Sequence, residues 1–418
     1  MIKTHAKKQR AAPIVIGWVV TFTVILFYAY EYFLRNAPSP MHDYFQSIYQ
    51  TTPSQLGQID AAYYWTYIPM QIIVGTLMDH YGVRKPLFLA IFSCVFGSVL
   101  FGIENNYSLV LLGRMLIGFG SAFGFVAVLK TATLWLPKRY FPLAVGIATS
   151  LGMLGAISSL VIITLLMNQF GIESTIDLFV LFGLVLMITT YFIVYDKKQP
   201  ARKSHATRRL QMIKKTITSV LGNSQVWLAG FIGLALYLPT QVIGLWGIPY
   251  FKHVHHFPKS TAASISSLIF WGWAVGGPII GVIAEYVKNR RLIIITGASV
   301  AGAILYALFF LPLTDKSEIM VAVFLLGLFS STQILAFDIA ASSCKRSHAG
   351  TAVAVTNMIV MFGGPLQEFI GYIIESSSID GSDNYTQQGF QDAFMIMPVF
   401  IILACLISLL IKDNSRYD

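Results

Sequence analysis

Apolar residues run along this chain in long uninterrupted stretches, at about 13–36, 54–78, 87–104, 107–133, 142–169, 174–195, 225–250, 260–287, 291–313, 318–343, 350–375 and 388–411. Each is long enough to cross a ~30 Å hydrocarbon layer as a helix. The pattern predicts an all-α membrane protein with twelve spans. The first stretch has no charged side chain from Ala11 to Tyr30 and then ends in "EYFLRNAPSP", with Glu31, Arg35 and two prolines. Ionisable groups inside a membrane mark functional sites by default, so the placement of Glu31 and Arg35 matters.

Composition agrees with the pattern. Hydrophobic residues make up 56% and charged residues only 11%, against roughly 25% charged in soluble domains; mean hydropathy is +0.67. An even number of spans puts both termini on one side. Of the Lys and Arg, all but Arg35, Arg114, Lys130, Lys252, Lys259 and Lys316 fall on that side. Positive loops face the cytoplasm, so cytoplasmic termini and a bacterial inner membrane are expected. The net charge of +10 then reads as a topology signal toward the lipid bilayer, and no nucleic-acid partner is expected. "MIKTHAKKQR" precedes an apolar run too long for a cleavable signal core. Cys94, Cys344 and Cys405 all fall within spans and read as packing residues. His253, His255 and His256 in "FKHVHHFPKS" have no neighbouring carboxylate or Cys to complete a metal shell, so they read as a solvated loop. No metal, cofactor or phosphate-binding loop is expected. The chain reads as a monomer and not as an enzyme.

The chain repeats itself. "GTLMDHYGVRK" (Gly75 to Lys85) has a weaker copy in "GVIAEYVKNRR" (Gly281 to Arg291), with Asp79 matching Glu285 and Arg84 matching Arg290 at a constant offset of about half the chain. Lys138-Arg139 and Lys345-Arg346 match at nearly the same offset. This predicts two parallel six-helix bundles, residues 1–195 and 225–418, joined by a basic linker, 196–224.

The hairpin resembles the signature loop of the major facilitator superfamily, G-x-L-x-D-x-x-G-x-R-[KR], with Gly75, Leu77, Asp79, Gly82 and Arg84 at its fixed positions. The resemblance implies a transporter working by alternating access, in which Gly75, Asp79, Gly82, Arg84 and Lys85, with Glu285 and Arg290 of the copy, latch the halves together. In the residues themselves, Gly82 suits a tight turn, and Arg84 and Lys85 offer donors to Asp79. Arg114 in "LLGRMLIGFGSAFGF" is similar to the superfamily's span-four Arg, which the resemblance links to proton coupling; bonding to facing backbone carbonyls is the other reading. Span five lacks the Gly-Pro of drug antiporters, while Gly-Gly-Pro occurs at Gly276–Pro278 and Gly363–Pro365.

By helix length Arg35 lies roughly 33 Å along span one, which suits an interfacial Arg. The equal steps from Arg35 to Gly57 and from Gly57 to Asp79 are similar to those in the superfamily's organic-anion and sugar-acid transporters, where the resemblance implies a cavity Arg receiving a carboxylate. A guanidinium fork fits that task. In the repeat Arg35 corresponds to Gln241, so helices one and seven would each offer a donor. Glu31, one turn before Arg35, shares its face and, if released in an apolar site, would take up a proton. Glu368 is the second candidate for coupling. Tyr67, Gln71, Tyr237 and Trp246 complete the candidate solute-binding set. Asp60 reads as a residue that helps begin span two. The expected function is secondary transport of an amino acid, short peptide or organic acid, coupled to protons. A facilitator or exporter of a neutral or drug-like solute, or a solute receptor, stays open.

Overall fold

The computed structural model describes residues 14–412 apart from 104–105, 197–214, 288, 312, 314, 346–347 and 378–384. Most of the expected linker, 196–224, therefore lies outside the described residues. No strand occurs among those described. The helices are α1 Ile14–Arg35, α2 His42–Tyr49, α3 Pro53–Tyr81, α4 Arg84–Phe101, α5 Tyr107–Ser121, α6 Gly124–Trp135, α7 Phe141–Ser158, α8 Thr164–Ile193, α9 Ser224–His253, α10 Lys259–Val287, α11 Arg290–Phe310, α12 Lys316–Ser330, α13 Ile334–Ser342, α14 Ala349–Val360, α15 Leu366–Ser376, α16 Gln387–Phe394 and α17 Ile396–Ser408.

Several spans are built from two of these pieces, broken where small residues or proline interrupt the ladder: α5 and α6 at Ala122–Phe123, α14 and α15 at Gly363–Gly364–Pro365. The continuous apolar stretch Leu143–Ile193 covers 51 residues, far too long for one crossing. It divides at Gly171, whose φ of 76° interrupts the helix. Helix α3 begins with Pro53 behind a reciprocal cap: Thr52 Oγ1 accepts from Gln55 N–H and Gln55 Oε1 accepts from Thr52 N–H. That pair satisfies orphan donors of the first turn.

The duplication is visible in three dimensions. A Cβ on Gly118 of α5 would lie 2.0 Å from the carbonyl of Tyr63 in α3, and a Cβ on Gly327 of α12 would lie 2.0 Å from the carbonyl of Ile269 in α10. Tyr63 and Ile269 occupy matching positions of the repeat, so the same close crossing is built once in each half. Large apolar side chains such as Leu181, Phe192, Ile402 and Leu410 are exposed on the outside, where acyl chains are their natural solvent. By contrast α9 is buried along the whole of Ile232–Phe251, as a helix apolar all round must be.

We call the side bearing Ile14 and Ile411 the terminal face and the other the distal face. The halves meet tightly toward the distal face. Cβ atoms on Gly57 and Gly371 would strike the backbones of Gln367 and Pro53 respectively, at 2.2 and 2.3 Å. Ser39 Oγ donates to the carbonyl of Leu245 at 2.8 Å. The connection after α1, which reads as a loop, folds into α2 and clamps onto the C-terminal half: Asp43 takes Lys252 at 2.8 Å and Lys259 at 3.2 Å. His42 donates to Asp43 at 3.3 Å and bonds the hydroxyl of Tyr385. Partial burial alone would raise the Asp43 carboxyl, but the His42 hydrogen bond and the two lysines hold it well below the usual range. Burial pushes the His42 imidazole down despite Asp43, which keeps it neutral. The histidine cluster is likewise no free loop: the His253 ring lies tilted against Tyr385, and His255 packs against Tyr250 and Phe257.

Toward the terminal face, among the described residues, nothing lies within 4 Å of a Cβ built on Gly75 of α3 or on Gly350 of α14, nor on Gly146 of α7 or Gly281 of α10.

A buried Arg–Glu–Tyr cluster beside an inter-bundle cavity

Arg35 is the last residue of α1 and Glu31 lies one turn earlier; both are buried, at 3% and 0% exposure. Arg35 Nη2 donates to both Glu31 oxygens, at 3.0 and 3.2 Å. Its Nε donates to the Tyr63 hydroxyl at 3.0 Å, which in turn donates to Glu31 Oε2 at 3.1 Å. The rings of Tyr32, Tyr67 and Tyr63 surround the guanidinium carbon at 4.3, 5.0 and 5.4 Å, so π faces replace much of the water it has lost. One part of the guanidinium is left over: Nη1 is buried and makes no hydrogen bond.

Arg114 explains why α1 can end here. The last carbonyls of a helix have no intrahelical donor, and in a bilayer water does not supply one. Arg114 reaches across from α5 to donate to Leu34 O at 2.9 Å, Arg35 O at 3.1 Å and Ile59 O at 3.2 Å. It also pairs with Asp60 Oδ1 at 3.3 Å. The geometry is that of the carbonyl-bonding reading, and it ties α1, α3 and α5 together behind Arg35. Asp60 does not begin α3; the Thr52 cap does, and Asp60 sits about two turns inside as the buried partner of Arg114. An Arg114→Ala variant strands Asp60 and the carbonyls, and is expected to lose about 3–5 kcal/mol of stability, read as a lowered thermal unfolding midpoint in detergent.

In front of Arg35 lies a cavity of about 10 Å³ between the halves, lined by Arg35, Asn36, Asp60 and Tyr64 on one side and by residues including Tyr237 and Gln241 on the other. It has room for about one water. Gln241 is buried beside the Tyr64 hydroxyl, the nearest side-chain partner of its amide, with no hydrogen bond of ordinary geometry. Two glycines admit these side chains: a Cβ on Gly363 would fall 2.0 Å from Gln241 Oε1, and one on Gly364 would fall 2.1 Å from the Tyr64 ring. The break between α14 and α15 is therefore a cradle for the cavity wall.

The structure thus brings Arg35, Glu31, Tyr67, Tyr237 and Gln241 together. It places Gln71 deeper, accepting from Asn357 across the halves at 3.2 Å. Trp246 is fully buried and donates to Gln367 Oε1 at 3.0 Å, so it anchors α9 to α15 and does not line the cavity. Glu368 is half-buried beside the close approach to Gly57, away from the Arg35 cluster. In the hairpin motif, Gly82 has a φ of 80°, and Asp196 from the end of α8 accepts from Val83 N–H at 2.7 Å and Arg84 N–H at 3.3 Å, capping α4 with negative charge. Arg84 Nη2 donates to Tyr191 O at 2.7 Å. The side chain of Asp79 lies outside the described ones. Lys85 and Glu285 are exposed, and Arg290 pairs with Asp338 at 2.6 Å. Sequence reasoning missed Asp60, Asn36 and the Gly363–Gly364 cradle as parts of the site; the Gly-Gly-Pro at that break was the available signal.

The sequence matches the Major Facilitator Superfamily over residues 17–367. Among curated relatives, "Probable sulfoacetate transporter SauU" of Cupriavidus necator is 25% identical, covering 88% of this chain and 87% of that one. "Uncharacterized transporter YybO" of Bacillus subtilis is 24% identical over 82% and 84%, and "Probable anion transporter 3, chloroplastic" of Oryza sativa is 24% identical over 59% and 52%. Among solved structures, the inward-facing, unoccupied bacterial homolog of the human lysosomal transporter Spinster superposes with a TM-score of 0.77 at 14% identity, covering 96% of this chain and 97% of that one. A D-xylose-proton symporter gives 0.77 at 12% identity, covering 96% and 99%. With the duplicated six-helix bundles and the signature hairpin, these matches show that the chain belongs to the major facilitator superfamily and is a multi-pass membrane transporter.

Proposed function

We propose that this protein carries a small carboxylate- or sulfonate-bearing solute across the bilayer together with a proton, by alternating access around the Arg35 cavity. The observation that carries the reading is the buried guanidinium whose Nη1 makes no hydrogen bond of ordinary geometry, facing a cavity with the Gln241 amide in its opposite wall. Buried polar groups are normally satisfied, so an anion accepting from Arg35 Nη1 and from the Gln241 amide completes both halves of the site at once. Relatives with anion in their names support the class.

Charge bookkeeping supports the proton. Glu31, Arg35, Asp60 and Arg114 sum to zero when ionised, and an entering monoanion leaves one uncompensated negative charge in a low-dielectric site. A solute that takes Arg35 from Glu31 leaves that carboxylate to bind a proton, which restores neutrality. We read the termini as cytoplasmic in a bacterial inner membrane, from the Lys/Arg bias. The state described is then shut outside by the α2 clamp and the α3–α15 contact. The remaining site roles follow as proposals: Arg114 positions Arg35, and the Gly75–Lys85 hairpin with Glu285 and Arg290 forms the cytoplasmic latch of the opposite state.

Uptake into proteoliposomes tests the reading, using small organic acids with and without an inward proton gradient. Gradient-stimulated accumulation of a carboxylate or sulfonate is expected; accumulation of a neutral sugar with no acid transported would sink it. The clamp has its own test. Each ion pair of Asp43 is about a third exposed on the carboxylate side, and such pairs are worth about 0.2–1 kcal/mol. Asp43→Asn should barely change thermal stability, yet raise labelling from the distal side of an Asn36→Cys probe by an impermeant maleimide. Because the carboxyl is depressed, the clamp is present above the ordinary Asp range of about 4 and is lost only as pH falls below it.

A further inference from the structure

We infer that Gln71, Asn357 and Tyr67 close the Arg35 cavity toward the terminal face, and that parting this polar layer is what opens the site on that side. The inference goes beyond the anion reading, because it concerns access to the cavity and holds for any solute carried there. A row of residues on α3 carries it. Tyr63, Tyr67, Gln71 and Gly75 recur at every fourth position and so lie along one ridge of the helix, which runs from the level of Arg35 toward the terminal face. Tyr63 bonds both Arg35 and Glu31. Tyr67 stacks on Tyr63 at 5.4 Å and its ring lies 5.0 Å from the Arg35 guanidinium. One turn on, Gln71 Oε1 accepts from Asn357 Nδ2 of α14 in the other half at 3.2 Å, and the Tyr67 hydroxyl lies beside the same asparagine. A further turn on, a Cβ on Gly75 meets nothing within 4 Å. The polar contact that these residues make between α3 and α14 is thus one helical turn deep.

The chemistry of this layer differs from that of the distal closure. Toward the distal face the halves are held by Asp43 with two lysines and by backbones in contact at Gly57 and Gly371, so separation there breaks ion pairs and unpacks close-fitting helices. The terminal layer consists of uncharged amides and hydroxyls, to which α1 and α9 add the facing hydroxyls of Tyr32 and Tyr237. When such a layer parts, water takes the place of each lost partner, and the net cost per bond is small. Tyr67 and Gln71 are nonetheless buried, at 5% and 8% exposure, so the layer does seal. The cavity of about 10 Å³ is then enclosed from both ends, and a solute larger than a water enters only after one end parts. Of the two ends, the terminal one is the easier to open. Gln71 is thereby a gate residue and not a solute ligand.

Labelling tests this without any solute. Thr240 is buried in the cavity wall. A Thr240→Cys probe, in a full-length chain cleared of its own cysteines by Cys94→Ala, Cys344→Ala and Cys405→Ala, reports access when a small membrane-impermeant methanethiosulfonate is applied to one face of proteoliposomes at a time. Gln71→Ala removes one neutral hydrogen bond, and is expected to raise the labelling rate from the terminal face about two- to tenfold while the rate from the distal face stays as it was. Asn357→Ala, which also takes the partner from Tyr67, should raise it at least as much. Gln71→Asn combined with Asn357→Gln restores an amide pair of the same total length, and should return the rate to that of the probe chain. An unchanged rate in Gln71→Ala and Asn357→Ala would overturn the inference. So would a rise of equal size from both faces, which general loosening gives, or a swapped pair labelled as fast as Gln71→Ala. The result is separate from the uptake test: proteoliposomes that take up no acid would remove the anion reading without touching this gate.

Discussion

Arg35→Gln should abolish solute accumulation. Truncating one partner of a buried, hydrogen-bonded charge pair costs about 2–5 kcal/mol in binding, and with each 1.4 kcal/mol worth a factor of ten the expected loss of affinity is roughly 30- to 4,000-fold. Arg35→Lys should recover little, because an ammonium cannot hold Glu31 and the Tyr63 hydroxyl in one plane and still present a free donor. Structural damage is separated from loss of function by the double variant Glu31→Gln, Arg35→Gln. It buries no unpaired charge, so its unfolding midpoint should return toward that of the native protein while uptake stays absent. Uptake retained by Arg35→Gln would remove Arg35 from the solute path.

The second large effect is expected at Glu31, buried against Arg35 and Tyr63 at 3.0 and 3.1 Å. Glu31→Gln keeps the shape and some of the hydrogen bonding but cannot carry a proton in and out. Solute exchange across proteoliposomes loaded with the same solute should persist, whereas accumulation driven by an inward proton gradient should fall to the equilibrium level. A Glu31→Gln protein that still concentrates solute against its gradient would take Glu31 out of the coupling role.

Much of this arrangement is legible from residues alone. Apolar run lengths locate the spans, and the hairpin copy reveals the duplication, which in turn pairs Arg35 with Gln241. Helix length alone puts Arg35 at the interface, yet it is buried, enclosed by Glu31, Tyr32, Tyr63 and Tyr67. The amphipathic α2 falls between two apolar stretches and so reads as a connection. Asp60 lies close to a span end, and only the position of Arg114 across the bundle shows that it is a buried partner. Trp246 reads as a possible wall residue for the same reason: which face of a span meets a cavity is decided by its neighbours, here Gln367. The Gly363–Gly364 pair is visible as a motif, but its use, making room for Gln241 and Tyr64, depends on contacts between the two halves that no local pattern encodes.

At the centre of the account, a solute anion takes Arg35 from Glu31 and a proton takes its place. Proton uptake on binding measures this directly, by titrating the small organic acid taken up by the proteoliposomes into the purified protein calorimetrically in neutral-pH buffers of different ionisation enthalpy. The account predicts close to one proton taken up per solute bound, and none in Glu31→Gln. Binding with no proton taken up by the native protein, or the same uptake in Glu31→Gln, would contradict it.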